Sequence, residues 1–295
     1  MKSNLCNLCP RSCNVERTQT QKGAFCKMPN TITVARAALH FWEEPCISGK
    51  NGSGTVFFSG CSLKCVFCQN YSISHECFGK EISVEHLVEI FNDLADKGAN
   101  NINLVNPTHF ALLIKEALEK FNHRLPVIYN SSGYEKVETL RELEGLIDVY
   151  LPDLKYITAE KSKKYSNAEN YFDYAAPAIL EMHRQVGQAI FDENGIIKRG
   201  LIIRHLILPK NTNESIKVLK WISENLPSDT YISLMGQYTP FGKTEDFPEL
   251  NRKITKREYD KVINAMLDFN LSNGFVQDTT CADTNFIPNF DLEGV

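Results

Sequence analysis

The stretch Gly60-Cys61-Ser62-Leu63-Lys64-Cys65-Val66-Phe67-Cys68-Gln69-Asn70 follows an apolar run, Thr55-Val56-Phe57-Phe58, and carries three cysteines within eight residues. The run reads as a buried strand. A strand that delivers three thiolates on one short loop can hold three corners of an iron-sulfur cube and leave the fourth iron without a protein ligand. An open iron is a place for chemistry.

A second cysteine group lies upstream, Cys6-x2-Cys9-x3-Cys13-x12-Cys26, with Pro10 and Arg11 inside it and Gly23 before its last member. Four thiolates in so short a segment match a closed, fully ligated site, either tetrahedral zinc or a second iron-sulfur cluster. The alternative is four unligated cysteines. Between the two groups, Thr31 to Trp42 is too mixed to classify beyond one or two strands. Ser48 to Gly54 is rich in turn residues but lacks the spacing of a phosphate-binding loop, so it reads as a connection.

Seven of the ten cysteines fall in these two groups, a pattern of reduced thiolates holding metal rather than of a disulfide framework. The 295 residues are 43% hydrophobic and 23% charged, ordinary for a soluble globular protein of one large or two smaller domains. We divide them into a cysteine-rich segment, 1–54, and a larger unit, 55–295. The formal charge of −4 is spread along the chain without a basic block, which disfavours nucleic acid as a partner. No stretch has the length of a membrane span and the N-terminus lacks an apolar core, so a cytoplasmic location is expected.

Downstream of Asn70, helical and strand periodicities alternate. Ser83 opens a helix carrying Val84, Leu87, Val88, Phe91, Leu94 and Ala95 that Gly98 closes, and a strand follows over 101–105. Helix 110–121, strand 126–129, a helix through Val137, Leu140 and Leu143, and strand 147–151 come next. A helical region from Thr158 breaks around Asn167 to Tyr171 and resumes toward Gln185. Asp192 to Gly195 reads as a hairpin before the strand 201–208. A helix through Ile216 to Leu226, a strand at 231–235 and a helix opened by the capping box Thr255-x-x-Glu258 complete six strand-helix repeats. Such alternation implies parallel strands with right-handed crossovers.

Phe58-Ser59-Gly60-Cys61-x3-Cys65-x-Phe67-Cys68-x-Asn70 resembles the cluster motif of the radical S-adenosylmethionine (radical SAM) enzymes, nearest to pyruvate formate-lyase activating enzyme and its less characterised relatives. The resemblance runs from about Thr55 to about Pro240. It implies an α/β fold, a partial (β/α)6 barrel with the cysteine-rich N-terminal extension. It also implies a 4Fe-4S cluster on Cys61, Cys65 and Cys68 whose open iron is chelated by the amino and carboxylate groups of S-adenosylmethionine. An electron then breaks the sulfonium C5′ bond, and the 5′-deoxyadenosyl radical takes a substrate hydrogen. Phe67 is expected against the adenine. A structural zinc knuckle completed by Cys77 or His75 is the competing reading of the three cysteines.

Further cofactor residues are expected at the C-terminal ends of strands. Asn106-Pro107-Thr108-His109 stands where the family often has Gly-Gly-Glu, so Asn106 or Thr108 would substitute, unless Asn106 only makes a turn. Asn130-Ser131-Ser132-Gly133 stands for the family's Asp-Thr-Asn-Gly, placing Asn130 and Ser132 at the cofactor. Asp153-Leu154-Lys155 matches the family's Asp-Leu-Lys, with the acid toward the ribose and the lysine toward the methionine carboxylate. Arg204 interrupts an apolar strand and must be paired or face a ligand, while His205 is either a hydrogen-bonded core residue or a site residue. Gln237 and His109 are weaker candidates. Cys46, Cys77 and Cys281 are left over.

The partners implied are S-adenosylmethionine, an electron donor such as flavodoxin or ferredoxin, and, for an activase, a glycyl radical enzyme. A partner's loop would enter the open side of a short barrel, whereas a small molecule or another peptide needs a lid, for which residues from Phe275 onward are available. From a different class stands a noncatalytic iron-sulfur or zinc protein, in which every metal is fully protein-ligated.

Overall fold

The computed structural model describes residues 5–18, 23–122, 124–277 and 288–295. Its sheet opens with β1 (Ile32–His40) and, after the short helix α1 (Pro45–Ser48), continues with β2 (Ser53–Phe58). A second short helix, α2 (Tyr71–Ser74), and β3 (Lys80–Ile82) lead into α3 (Val84–Asp96). Then come β4 (Ile102–Val105), α4 (Ala111–Lys120), β5 (Val127–Ser131), α5 (Val137–Arg141), β6 (Val149–Pro152), α6 (Ala159–Ser166) and α7 (Tyr171–Val186). The hairpin strands β7 (Ile190–Phe191) and β8 (Ile197–Leu206) are followed by α8 (Thr212–Asn225), β9 (Tyr231–Met235), α9 (Lys256–Asp268) and β10 (Gly274–Val276).

Strands β2, β4, β5, β6, β8 and β9 pair in that order and all in parallel. They are the six strands of the expected partial barrel. At one edge β10 adds a further parallel strand to β9. At the other, β1 runs antiparallel to β2 and β3 antiparallel to β1. Residues 32–54, grouped above with the N-terminal segment for their cysteine content, therefore include a strand hydrogen-bonded along the first barrel strand. Among the described residues no helix is long and apolar enough to cross a membrane.

The pleat sorts the strand residues onto two faces. Val56, Phe58, Ile102, Leu104, Val127, Tyr129, Tyr150, Leu201, Ile203, Ile232 and Leu234 join the core shared with the helices. The alternate residues Ile128, Val149, Leu151 and Ile202 pack with Cys46 and Ile47 of α1 in a second, smaller cluster. Local signals set the helix ends. Ser83 accepts from the His86 amide at 3.1 Å, Thr255 and Glu258 form a reciprocal capping box, and Asn167 turns left-handed (φ 49°) where α6 stops.

The C-terminal part differs from a simple lid. Phe275 and Val276 belong to β10, residues 278–287, with Cys281, lie outside the described residues, and the final residues lie along β1. There the Ala37 amide donates to the Glu293 carbonyl at 2.8 Å, and the Leu292 amide to that of Ala35 at 3.1 Å. Arg36 binds Asp291 at 2.8 Å and also Glu293. Phe290 meets Phe57 edge-on at 5.4 Å.

The N-terminal segment packs on the loop that follows β2. Arg11 Nε donates to the Ser62 carbonyl at 2.7 Å, and its guanidinium lies 3.8 Å over the Phe25 ring. Arg17 donates to the His109 carbonyl at 2.7 Å. Gly60, at φ +83°, has room for no side chain, because a Cβ there would stand 2.4 Å from Met28 Cγ and 2.9 Å from the Cys26 carbonyl. Gly98 has the same φ but nothing within 4 Å of such a Cβ.

Comparing the two glycines separates backbone strain from packing. Gly98→Ala should cost about 1–2 kcal/mol of unfolding free energy for a left-handed alanine. Gly60→Ala should cost about 1–3 kcal/mol more by overpacking. Denaturant unfolding of both variants measures the difference, and equal losses would mean that the N-terminal segment does not press on the loop in solution.

Candidate active site

The loop 60–70 is tied down through its backbone. The Gly60 amide donates to the Ile73 carbonyl at 2.8 Å, Val66 to Tyr165 at 2.9 Å, and Lys243 to Val66 at 2.8 Å. Asn106, in a left-handed conformation at φ 59°, directs its side-chain amide onto the Gly60 carbonyl at 2.6 Å. Asparagine tolerates that conformation better than most residues. So held, the loop presents Cys61, Cys65 and Cys68 to a cavity of about 280 Å³.

Each sulfur also meets a donor. The Leu63 amide reaches Cys61 Sγ at 3.3 Å, Ser166 Oγ reaches Cys65 Sγ at 2.9 Å and Ser74 Oγ reaches Cys68 Sγ at 3.2 Å. Burial pushes the Cys65 thiol up to about 11 and the Cys68 thiol up to about 12. Without added positive charge these groups stay protonated, and bound metal supplies that charge. Among the described residues no three His, Cys, Asp or Glu side chains are grouped to hold a single metal ion. A cube places its thiolates on three different irons, so convergence on one point is not what it requires.

On the facing walls the polar strand residues form one network. Lys155 Nζ lies 2.6 Å from Asp153 Oδ2, and Arg204 Nε lies 3.2 Å from Asp153 Oδ1. Arg204 also binds Glu43 Oε2 at 3.1 Å and donates to Asn130 Oδ1 at 3.0 Å. Burial works against ionising Asp153, but the Lys155 ammonium and the Arg204 guanidinium prevail and hold its carboxyl below the usual range. Burial likewise disfavours the Lys155 ammonium, and Asp153 more than offsets it, raising the lysine. Tyr171 secures the frame, its hydroxyl standing 2.8 Å from the Ser132 carbonyl, 2.9 Å from that of Asp153 and 3.0 Å from the Lys155 amide.

Cys61, Cys65, Phe67, Cys68, Asn106, Asn130, Ser132, Asp153, Lys155, Arg204 and Gln237 thus share one cavity. Phe67 is buried and meets Tyr238 edge-on at 6.1 Å. Thr108 and His205 lie elsewhere. Thr108 sits in a tight turn and donates to the buried Glu135 at 2.5 Å. His205 alternates with Arg204 and faces the helix layer, bound to the Leu154 carbonyl at 2.6 Å and Ser215 Oγ at 2.8 Å. It is the core histidine of the two readings. Burial lowers it to about 4. His109 is also buried, with Nε2 2.6 Å from the Ser59 carbonyl beneath the cysteine loop.

Sequence reasoning missed Glu43, Glu44, Tyr171, Ser74 and Ser166. Their signal is weak, since all lie in loops or helices outside the strand ends. In the N-terminal group Cys9 and Cys26 are buried while Cys6 and Cys13 are half-buried. The Phe25 amide meets Cys13 Sγ at 3.3 Å, and Arg17 Nη1 stands 3.7 Å from Cys6 Sγ.

The donor set fits a cluster with one open iron, and the cavity fits a polar ligand on that iron. Ser132 Oγ, Thr239 Oγ1, Gln277 Oε1 and Glu44 Oε2 are buried in its wall without a hydrogen-bond partner among the described residues. Buried polar atoms are rarely left so, and a bound polar molecule answers them.

An uncharacterized protein of Methanocaldococcus jannaschii is 33% identical over 276 residues, covering 90% of this chain and 75% of the relative. Among solved structures, methylornithine synthase (PylB) is similar at 15% identity, over 73% of this chain and 68% of that one, with a TM-score of 0.46. Streptococcus suis SuiB bound to S-adenosylmethionine is similar at 13% identity, over 74% of this chain and 48% of that one, with a TM-score of 0.46. Residues 55–222 match the family model of the radical SAM superfamily. A match over more than half of the 295 residues, beginning at the strand that carries the cysteine loop, makes this chain a member of the radical SAM superfamily.

Proposed function

We propose that this protein abstracts hydrogen from a small molecule or a single side chain held in the 280 Å³ cavity, rather than from the backbone glycine of a folded partner. The observation that carries this reading is that residues from outside the six strand-helix units line the cavity and narrow its mouth. Trp42, Glu43 and Glu44 wall it from the N-terminal side, and Gln277 and Pro288 from the C-terminal side. The volume lies near the lower end of the range for small-molecule sites. Activation of a glycyl radical enzyme would require a partner's loop to pass Trp42 and Pro288.

When bound, the 4Fe-4S cluster and S-adenosylmethionine together supply the hydrogen-abstracting radical. The chain's own residues do the rest. Cys61, Cys65 and Cys68 would hold the cluster, and the Leu63 amide and the Ser166 and Ser74 hydroxyls steady their sulfurs. Lys155, kept charged by Asp153, offers an ammonium to a carboxylate, while Asp153, Asn130 and Ser132 offer polar contacts to the adenosine and amino ends. Phe67 gives an apolar face and Gln237 a polar one.

The N-terminal group, Cys6, Cys9, Cys13 and Cys26, is assigned a second metal, iron-sulfur in preference to zinc, since among the described residues no three such side chains converge on a single ion. Its support is the four-thiol donor set and its contact with the outer side of the cysteine loop through Arg11 and Cys26. A flavodoxin or ferredoxin is the proposed source of electrons.

Anaerobic reconstitution with iron and sulfide, followed by dithionite and S-adenosylmethionine, should yield 5′-deoxyadenosine. Cys61→Ala, Cys65→Ala and Cys68→Ala should each reduce it to background, and no product from fully reconstituted wild type would refute the reading. Lys155→Met should weaken S-adenosylmethionine binding by about ten- to a hundredfold, as expected for loss of a charge-assisted contact of about 1.5–3 kcal/mol. Unchanged affinity by calorimetry would remove Lys155 from the cofactor site. Metal and sulfide analysis of the triple cysteine variant reports on the N-terminal group alone, where iron with sulfide means a cluster and zinc without sulfide a structural site.

A further inference from the structure

Glu43 and Glu44 enter the barrel between β1 and α1, just ahead of the Cys46 and Ile47 side chains that pack on its inward face. Both line the cavity. Glu43 is engaged on both oxygens, with Arg204 Nη1 at 3.1 Å from one and the side-chain amides of Asn103 and Asn130 at 3.2 and 3.3 Å from the other. Glu44 is buried to 4% exposure; the Ser233 hydroxyl lies beside its carboxyl, yet its Oε2 has no hydrogen-bond partner among the described residues. The charged and titratable groups around it are Arg204, Glu43 and Cys46. Arg204 is already shared among Glu43, Asp153 and Asn130.

The charge count of the cavity wall points the same way. Among the described residues of that wall, Glu43, Glu44 and Asp153 face two fixed cations, Lys155 and Arg204. A buried carboxylate oxygen without a partner is costly, and such a group persists where a ligand completes it.

We propose that Glu44, backed by Glu43, receives an ammonium group of the molecule bound in this cavity. The inference rests on the reading above that the cavity holds both S-adenosylmethionine and the substrate, and either can bring that nitrogen. Burial and the neighbouring Glu43 push the free Glu44 carboxyl upward. An arriving ammonium reverses that shift, so binding is accompanied by release of protons from the protonated fraction. A purely structural carboxylate has no such signature.

The test uses Glu44→Gln in the reconstituted protein at matched iron content. Melting without ligand comes first, and the variant should melt at or above wild type, since the amide removes an unpartnered buried acid. Calorimetry in buffers of different ionisation enthalpy then measures S-adenosylmethionine, followed by n-butylamine, putrescine and L-lysine with S-adenosylmethionine present. A loss of about ten- to a hundredfold in affinity for S-adenosylmethionine, with loss of its proton release, assigns the ammonium to the cofactor. The same loss for an amine, with S-adenosylmethionine unchanged, assigns it to the substrate. Equal affinities for all four probes, or a variant that melts well below wild type as a broken ion pair would, overturns the proposal. Deoxyadenosine formation by wild type is scored separately. Its absence retires the radical reading while the calorimetry still judges Glu44.

Discussion

Arg204 puts a guanidinium inside a parallel barrel, where an unpaired charge is prohibitive, and its surroundings answer to that charge. Asp153 meets it from the end of β6, Asn130 from β5 and Glu43 from the segment before α1. Three chain segments widely separated in sequence are thereby brought to one planar fork, a task for which a lysine lacks the geometry. Asp153 is kept ionised by this contact together with Lys155, and in that form it holds the Lys155 ammonium in the cavity wall. The polar wall of the cavity is thus set by charge pairing in the interior as much as by strand register.

The cysteine loop obeys a different constraint. Loop backbone close to the interior must place its amides and carbonyls on partners, and here those partners are the neighbouring elements. Asn106 takes the Gly60 carbonyl, Arg11 that of Ser62, and Lys243 that of Val66. Gly60 is required by conformation and by the close approach of Met28. The spacing of the three cysteines is therefore held by parts of the chain far from the motif, including the N-terminal segment.

Legibility followed these two kinds of constraint. Elements governed by local periodicity and capping were readable, including the break at Asn167 and the capping box at Thr255 and Glu258. Polar residues at strand ends could be placed together because a parallel sheet brings all such ends to one rim. Thr108 and His205 failed that inference for a geometric reason. The strand pleat turns His205 away from the side Arg204 faces, and the turn after β4 aims Thr108 at Glu135. Glu43 and Glu44 carried no local signal, since two acids before a proline read as an ordinary helix entry until tertiary structure folds them beneath the polar strand residues. The edge strand β10 was missed because its three residues are too short for periodicity to register.

What remains is a division of labour within the cavity. The cysteines and the strand-end network come from the six repeats of the partial barrel. Trp42, Glu43, Glu44, Gln277 and Pro288 come from segments beyond those repeats. β1 is locked to β2 on one side and to the C-terminal residues on the other, which fixes the segment bearing Glu43 and Glu44 to the barrel rather than leaving it as an appendage. A hydrogen-abstracting radical is made selective by what is held against it, because many C–H bonds lie within its chemical reach. Of the acidic pair that the added segments contribute, Glu43 is answered by Arg204 and two amides, and Glu44 Oε2 is the carboxylate oxygen of the cavity wall left without a partner among the described residues.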